Sequence, residues 1–124
     1  MNKLTKAEEE IMQMFWEYGP SLVSTLIYKI PEPKPPHSTI SSIVRILEKK
    51  AYVDHKAYGR TFEYFPIITK EEYSKFTVDD VLENYFNDSP KSLVSFLVKH
   101  EKVKIKELTE LIEKLEKNKK DSYK

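Results

Sequence analysis

One stretch constrains the fold of this chain more than any other: residues 36–50, followed at once by residues 51–66. In the first part Ile40, Ile43, Val44 and Leu47 recur at the helical period and make one apolar face. Ser38, Ser41, Ser42, Arg45 and Lys49 point elsewhere, so the opposite face is small, polar and basic. The helix is expected to start at Ser38 or Thr39. In the second part, residues 53–58 and 61–65 are β-prone runs around a two-residue turn at Gly59-Arg60, and Pro66 ends the second run. Gly59 is one of only two glycines, and a tight hairpin turn is a physical reason to keep it there.

The segment before this stretch predicts two short helices. Over residues 4–18, Thr5 and Glu8 have capping-box spacing, and Ala7, Ile11, Met14, Phe15 and Tyr18 share one face. Gly19-Pro20 stops that helix. Residues 21–30 predict a second helix, with Ser21 as its cap and Val23, Leu26, Ile27 and Ile30 turned inward. Pro31-Glu32-Pro33-Lys34-Pro35-Pro36 then forms a stiff, extended linker, because each proline fixes φ and biases its predecessor away from helix.

The rest of the chain reads as helical and separate. Thr69, with Glu72 three residues on, suits the cap of a helix over 70–86 that carries Tyr73, Phe76, Val81, Leu82, Tyr85 and Phe86. Asn87-Asp88-Ser89-Pro90 is a break, and Ser89 can cap a segment holding Leu93, Val94, Phe96, Leu97 and Val98. A last helix over 104–117 carries Ile105, Leu108, Ile112 and Leu115 at coiled-coil-like spacing, with Leu111 beside them. The polar tail over 117–124 is expected to fray. The division predicted is a first domain over 1–68 and a helical domain over 69–124.

Composition narrows the function classes. At 124 residues one small domain plus an appendage is expected. Net charge is only +1, yet residues 34–60 hold six cations (Lys34, Arg45, Lys49, Lys50, Lys56, Arg60) against Glu48 and Asp54. Local charge governs a nucleic-acid surface more than the chain total does. With no cysteine, disulfides, thiolate metal sites and cysteine nucleophiles are excluded. There is no signal-peptide pattern and no apolar run of membrane-spanning length, so a cytoplasmic protein without membrane insertion is expected. A glycine-rich phosphate loop, metal-ligand spacing among the three histidines and a catalytic triad are all missing, which argues against an enzyme, a metal or a cofactor.

Three short helices, a proline-stiffened entry and a basic hairpin fit a mostly α chain with a small β-hairpin: a winged helix-turn-helix followed by C-terminal dimerisation helices. A recognition helix sets its N-terminal residues at base edges in the major groove of double-stranded DNA. Here Ser38, Thr39, Ser41 and Ser42 allow close approach and hydroxyl contacts, and Arg45 can reach guanine or phosphate. Lys49 and Lys50 lie where phosphates run, and the wing offers Lys56, Tyr58 and Arg60. Each residue also has a plainer role open to it. Ser and Thr cap helix starts, lysines favour helix C-termini, and Arg45 could pair with Glu48 or Glu17. His37 and His55 read as solvated, and Phe62, Tyr64 and Phe65 as hairpin packing.

The motifs Leu4-Thr5-Lys6-Ala7-Glu8, Trp16-Glu17, Gly19-Pro20, Pro33-Lys34-Pro35-Pro36, Thr39-Ile40-Ser41-Ser42, Arg45-Ile46-Leu47-Glu48-Lys49-Lys50 and His55-Lys56 with Gly59-Arg60 resemble the penicillinase-repressor (BlaI/MecI) family of bacterial transcriptional regulators. The resemblance implies a homodimeric repressor on a palindromic operator, with helix 3 and the wing on DNA and the C-terminal helices interlocked. Tyr73, Phe76, Val81, Leu82, Tyr85, Phe86, Leu93, Phe96, Leu97, Leu108, Ile112 and Leu115 are the dimerisation candidates. It also implies, in the β-lactam branch, release by cleavage at an Asn-Phe bond, with a membrane sensor-protease acting upstream. The matching bond here is Ser95-Phe96, a departure from that pattern. The cysteine pairs of the copper-responsive branch are absent. Ala51 stands where many members have Gly, so the third helix is expected to end differently. The alternative is a winged-helix module that docks a protein rather than specific DNA, and a small-molecule pocket along 73–86 is a further option.

Overall fold

A computed structural model describes residues 1–122 of the chain. The order of elements is α1 (Lys6–Tyr18), α2 (Val23–Lys29), α3 (His37–Lys49), β1 (Val53–Tyr58), β2 (Thr61–Pro66), α4 (Lys70–Tyr85), α5 (Pro90–Lys99) and α6 (Ile105–Ser122). The chain divides into two compact units, Met1–Phe76 and Thr77–Lys124. The first unit is a winged helix-turn-helix: three helices followed by an antiparallel hairpin.

The start of α1 is the expected capping box. Thr5 Oγ1 accepts from the Glu8 amide at 3.3 Å, and Glu8 Oε1 accepts from the Thr5 amide at 2.9 Å. The buried face, however, is rotated from the one expected. Leu4, Glu8, Ile11, Met12 and Phe15 are buried, whereas Ala7 and Tyr18 are exposed and Met14 is only half-buried. The cause is non-local. Glu8 meets Lys50, Glu9 accepts from the Tyr73 hydroxyl, and the Trp16 indole donates to the Ile68 carbonyl at 2.9 Å. A helix packed against residues 50–73 as well as α3 must turn its face toward both.

Ser21 does not cap α2. Its backbone pairs instead with Tyr64 on the wing, through N–H···O bonds of 2.8 and 2.9 Å, and Leu22 takes the N-cap position without a side-chain bond. The α1–α2 connection thus acts as a short third strand at the base of the hairpin. Lys34, from the proline linker, donates to the Ile27, Tyr28 and Ile30 carbonyls at 3.0, 2.9 and 2.7 Å and so closes the C-terminus of α2.

Helix α3 begins at His37, a residue earlier than expected, with Pro36 at its N-cap. It buries Ile40, Val44 and Leu47. It ends in the left-handed manner usual for glycine even though the residue is Ala51, at φ 66°. The Ala51 amide donates to the Glu48 carbonyl at 3.0 Å and the Tyr52 amide to that of Leu47 at 2.9 Å, which is a Schellman motif. The expected departure at this position therefore does not occur. The two carbonyls gain partners and Tyr52 reaches full burial, which together outweigh the alanine's steric penalty.

The hairpin follows the expected register, with Val53 opposite Pro66 and Tyr58 opposite Thr61. Gly59 has φ 61° and Arg60 is not in the left-handed region, the pattern of a type II′ turn. The core of the unit gathers Phe15, Met12, Leu26, Leu47, Val44, Val53 and Tyr52, each under 2% exposed. Truncating any of the larger ones should cost about 2–5 kcal/mol.

Thr69 caps α4 as expected: its Oγ1 accepts from the Glu72 amide at 3.0 Å. The first turn of α4 then delivers Tyr73 to the winged unit, 5.7 Å from the Trp16 ring and 5.8 Å from Tyr52.

In the second unit, Asn87 and Asp88 take left-handed conformations at the end of α4. Ser89 caps α5 as expected, accepting from the Ser92 amide at 3.1 Å. Helix α6 runs on to Ser122 rather than fraying from Lys117, because no Gly or Pro interrupts its Lys- and Glu-rich end. The last two residues of the expected tail, Tyr123 and Lys124, lie outside the described residues. Leu82 is the one buried apolar residue described in this unit.

Candidate nucleic-acid interface

An α-helix turns about 100° per residue, so positions four, seven and eleven residues apart share a face. Ser38, Ser42, Arg45 and Lys49 form such a stripe on α3, and all four are exposed. Ser41 flanks it, half-buried. Thr39 is exposed on the other flank, beside Ile40 and Ile43, where it lines a shallow pocket against Ala7 and Ile11 of α1. No side chain caps the start of α3, so the capping role open to Ser38 and Thr39 is not the one they take.

Sequence reasoning passed over Ile46, which is 42% exposed and neighbours Ser42 on the helix surface. It follows the helical period poorly with the buried set, and that mismatch was the available signal. A branched apolar side chain there can meet a thymine methyl.

Lys50 leaves this surface. One residue beyond Lys49, it is rotated toward α1, where its Nζ lies 2.6 Å from Glu8 Oε1. Glu8 is 5% exposed. Burial pushes its carboxyl up, but the Lys50 ammonium and the Thr5 amide and hydroxyl outweigh that and leave it below the ordinary value. Lys34 is likewise committed, at the end of α2. Two of the six cations counted over residues 34–60 thus serve the fold. Arg45, Lys49 and Arg60 are exposed and make no ion pair among the described residues.

On the wing, the pleat sets Lys56 and Tyr58 on one face and His55 on the other. Lys56 pairs with Glu63 across the strands at 3.3 Å, and its own side chain stays mostly in solvent, so the contact is readily exchanged for a phosphate. Tyr58 is 57% exposed, and Arg60 projects at the turn. His55 is not simply solvated. Its Nδ1 meets Glu48 Oε2, and its ring lies 4.4 Å from Phe62 and 5.5 Å from Tyr64. Phe62 and Tyr64 are therefore hairpin packing, as expected. Burial first, and the Glu48 carboxylate second, push the Tyr64 hydroxyl up, with Arg45 opposing.

Among the described residues, Glu48, Asp54 and His55 bring one potential metal-ligand atom each within 4.8 Å of one another. Each already has a protein partner: Glu48 and His55 hold one another, and Asp54 accepts from the His55 amide at 2.8 Å. The cluster is a junction between α3 and β1, invisible locally because Glu48 lies six and seven residues before Asp54 and His55.

The dimerisation candidates divide between the two units. Tyr73 is buried in the first unit's core, and Phe76 packs against that core. In the second unit Leu82 is buried, and Val81, Phe86, Leu93, Leu97 and Leu108 are half-buried. Tyr85, Phe96, Ile112 and Leu115 are exposed, at 78%, 45%, 53% and 55%. Ser95 and Phe96 sit within α5, both exposed, with the Phe96 ring 5.3 Å from Phe86.

A helix that presents exposed hydroxyls and cations, followed by a hairpin with a basic tip, defines a winged helix-turn-helix protein. The family model described as Penicillinase repressor matches residues 4–117. The penicillinase repressor of Bacillus licheniformis is 25% identical over 122 residues, covering 94% of this chain and 92% of that protein. The methicillin resistance regulatory protein MecI of Staphylococcus aureus (strain N315) is 24% identical over 110 residues, covering 88% and 89%. The chain belongs to the penicillinase-repressor (BlaI/MecI) family, a family of transcriptional repressors and not of enzymes. Among the described residues no helix is long and apolar enough to cross a membrane.

Proposed function

We propose that the chain is a homodimeric, DNA-binding transcriptional repressor. Its 1–68 region binds a palindromic operator in double-stranded DNA, and its 69–124 region holds two copies together. The observation that carries this reading is the α3 stripe of Ser38, Ser42, Arg45 and Lys49, exposed and with its two cations in no ion pair among the described residues. Thr39 and Ser41 border the groove contact. Lys49, Lys56, Tyr58 and Arg60 serve the phosphates. Lys50 acts by fixing α3 to α1 rather than by touching DNA.

The second unit supports dimerisation by its unfinished burial. Ile105, Leu111, Ile112 and Leu115 on α6 are each at least half exposed, a density of apolar surface that soluble monomers rarely leave uncovered. A two-fold partner would also match a site with half-sites one helical turn apart, or multiples of it. The exposed Ser95-Phe96 bond is the point at which a protease, under a membrane sensor, would release repression. The regular helix around it must open locally before a protease can act on it.

The test is a fluorescence-anisotropy titration against the palindromic DNA upstream of the chain's own gene, beside a scrambled duplex, at two salt concentrations. Tight, salt-dependent preference for the palindrome is expected. Arg45→Ala and Lys49→Ala should each weaken it by roughly 1–2 kcal/mol without loss of fold. Failure to bind any duplex at low salt would move the function to the protein-docking alternative.

A further inference from the structure

One cluster ties the exposed face of α3 to the wing: Arg45, Glu48, His55 and Tyr64, where the last turns of α3 meet the hairpin. Glu48 follows Arg45 by three residues, so the two are neighbours on the helix surface and natural partners. They do not pair. Arg45 is exposed and without an ion pair among the described residues. Glu48 Oε2 is held instead by Nδ1 of His55, from β1. His55 is itself fixed by Phe62 and Tyr64 on β2, and its backbone N–H donates to Asp54 Oδ1. Burial and the Glu48 carboxylate raise the Tyr64 hydroxyl's pKa and the Arg45 guanidinium opposes them, so both charges act on it.

We propose that His55 is a positioning residue for DNA recognition: by engaging Glu48 it keeps that carboxylate off Arg45 and leaves the guanidinium available to DNA. The proposal rests on the reading of α3 as the DNA-contacting helix. A guanidinium committed to a carboxylate must be released before it can meet a base or phosphate. One bond from the wing holds the carboxylate away from the guanidinium, and it makes the wing part of the helix's preparation for DNA as well as a contact of its own.

A double-mutant cycle on the full chain tests this, with a fluorescein-labelled duplex carrying the palindrome upstream of the chain's gene. Binding is compared well below the melting temperature of each variant. His55→Ala should weaken binding by roughly two- to fivefold, the scale of an exposed neighbouring ion pair. Adding Glu48→Gln should bring affinity back to that of Glu48→Gln alone. In an Arg45→Ala background, His55→Ala should change nothing. A loss that Glu48→Gln does not reverse, or that persists without Arg45, would mean His55 only packs the wing and would overturn the proposal.

The free protein gives an independent reading. The Arg45 Nε–H resonance in 15N spectra should shift in His55→Ala and return when Glu48→Gln is added. No shift overturns the proposal whatever the DNA does. A shift with unchanged affinity, together with normal binding by Arg45→Ala, also overturns it, and places the failure in the DNA reading of α3 rather than in the pairing.

Discussion

Two residues set the terms at the smallest scale. Ala51 holds φ 66°, where its Cβ crowds the backbone, so Ala51→Gly should raise stability by about 0.5–1 kcal/mol, the relief of strain less glycine's greater unfolded freedom. A rise in the thermal midpoint of several degrees would show it, and no rise would mean Ala51 is unstrained. Glu8 is the second. Its folded carboxyl titrates below the ordinary 4.5, so the stability it lends is complete above that pH and drains as pH falls through the lowered folded value. Lys50→Met, which strands a buried carboxylate, should cost roughly 2 kcal/mol at neutral pH in urea unfolding, and much less once Glu8 is protonated. The sequence shows why each residue has the potential for these roles but not which role it takes. Lys34, Lys50 and Arg45 look alike on the page. Only the fold separates the two that close a helix end and bind Glu8 from the one that makes no ion pair among the described residues.

Helices and hairpin were the most legible level. Capping boxes at Thr5 and Thr69, the Ser89 cap and the Gly59-Arg60 turn all follow from local spacing, and the structure has each one. What local spacing misses is side-to-side placement. Ser21 has the chemistry of a cap, yet its backbone is taken by Tyr64 from more than forty residues away, and α1 is rotated by partners in residues 50–73. The His55–Glu48 junction was hidden for the same reason. At the turn, an added Cβ on Gly59 would meet nothing within 4 Å, so the harm of a substitution lies in φ alone. Gly59→Ala should therefore cost about 1 kcal/mol of stability while leaving the core intact, and should weaken DNA binding through a loosened wing. An unchanged melting curve would show that the turn has relaxed to another type.

At the scale of the whole molecule, burial and charge make the predictions. Ile112→Lys with Leu115→Lys should turn a dimer into a monomer by light scattering, and the winged unit should keep its own core and its near-ultraviolet aromatic signal. A wild-type monomer at micromolar concentration would remove the dimer altogether. Three phosphate-facing cations per copy, Lys49, Lys56 and Arg60, would give a dimer a slope of log affinity against log salt of roughly −5. A near-zero slope would count against the interface. The wing completes the picture at this scale. Its base is tied into the body by Ser21 and Tyr64 and by the Ile67 amide on the Tyr52 carbonyl at 2.8 Å, whereas residues 57–62 stand in solvent. Hydrogen exchange should divide it accordingly, with amides at the base opening only as the whole unit unfolds and those at the tip exchanging by local motion. Such a tip can be lengthened by a few residues, or carry a fluorescent label, without disturbing what lies beneath it.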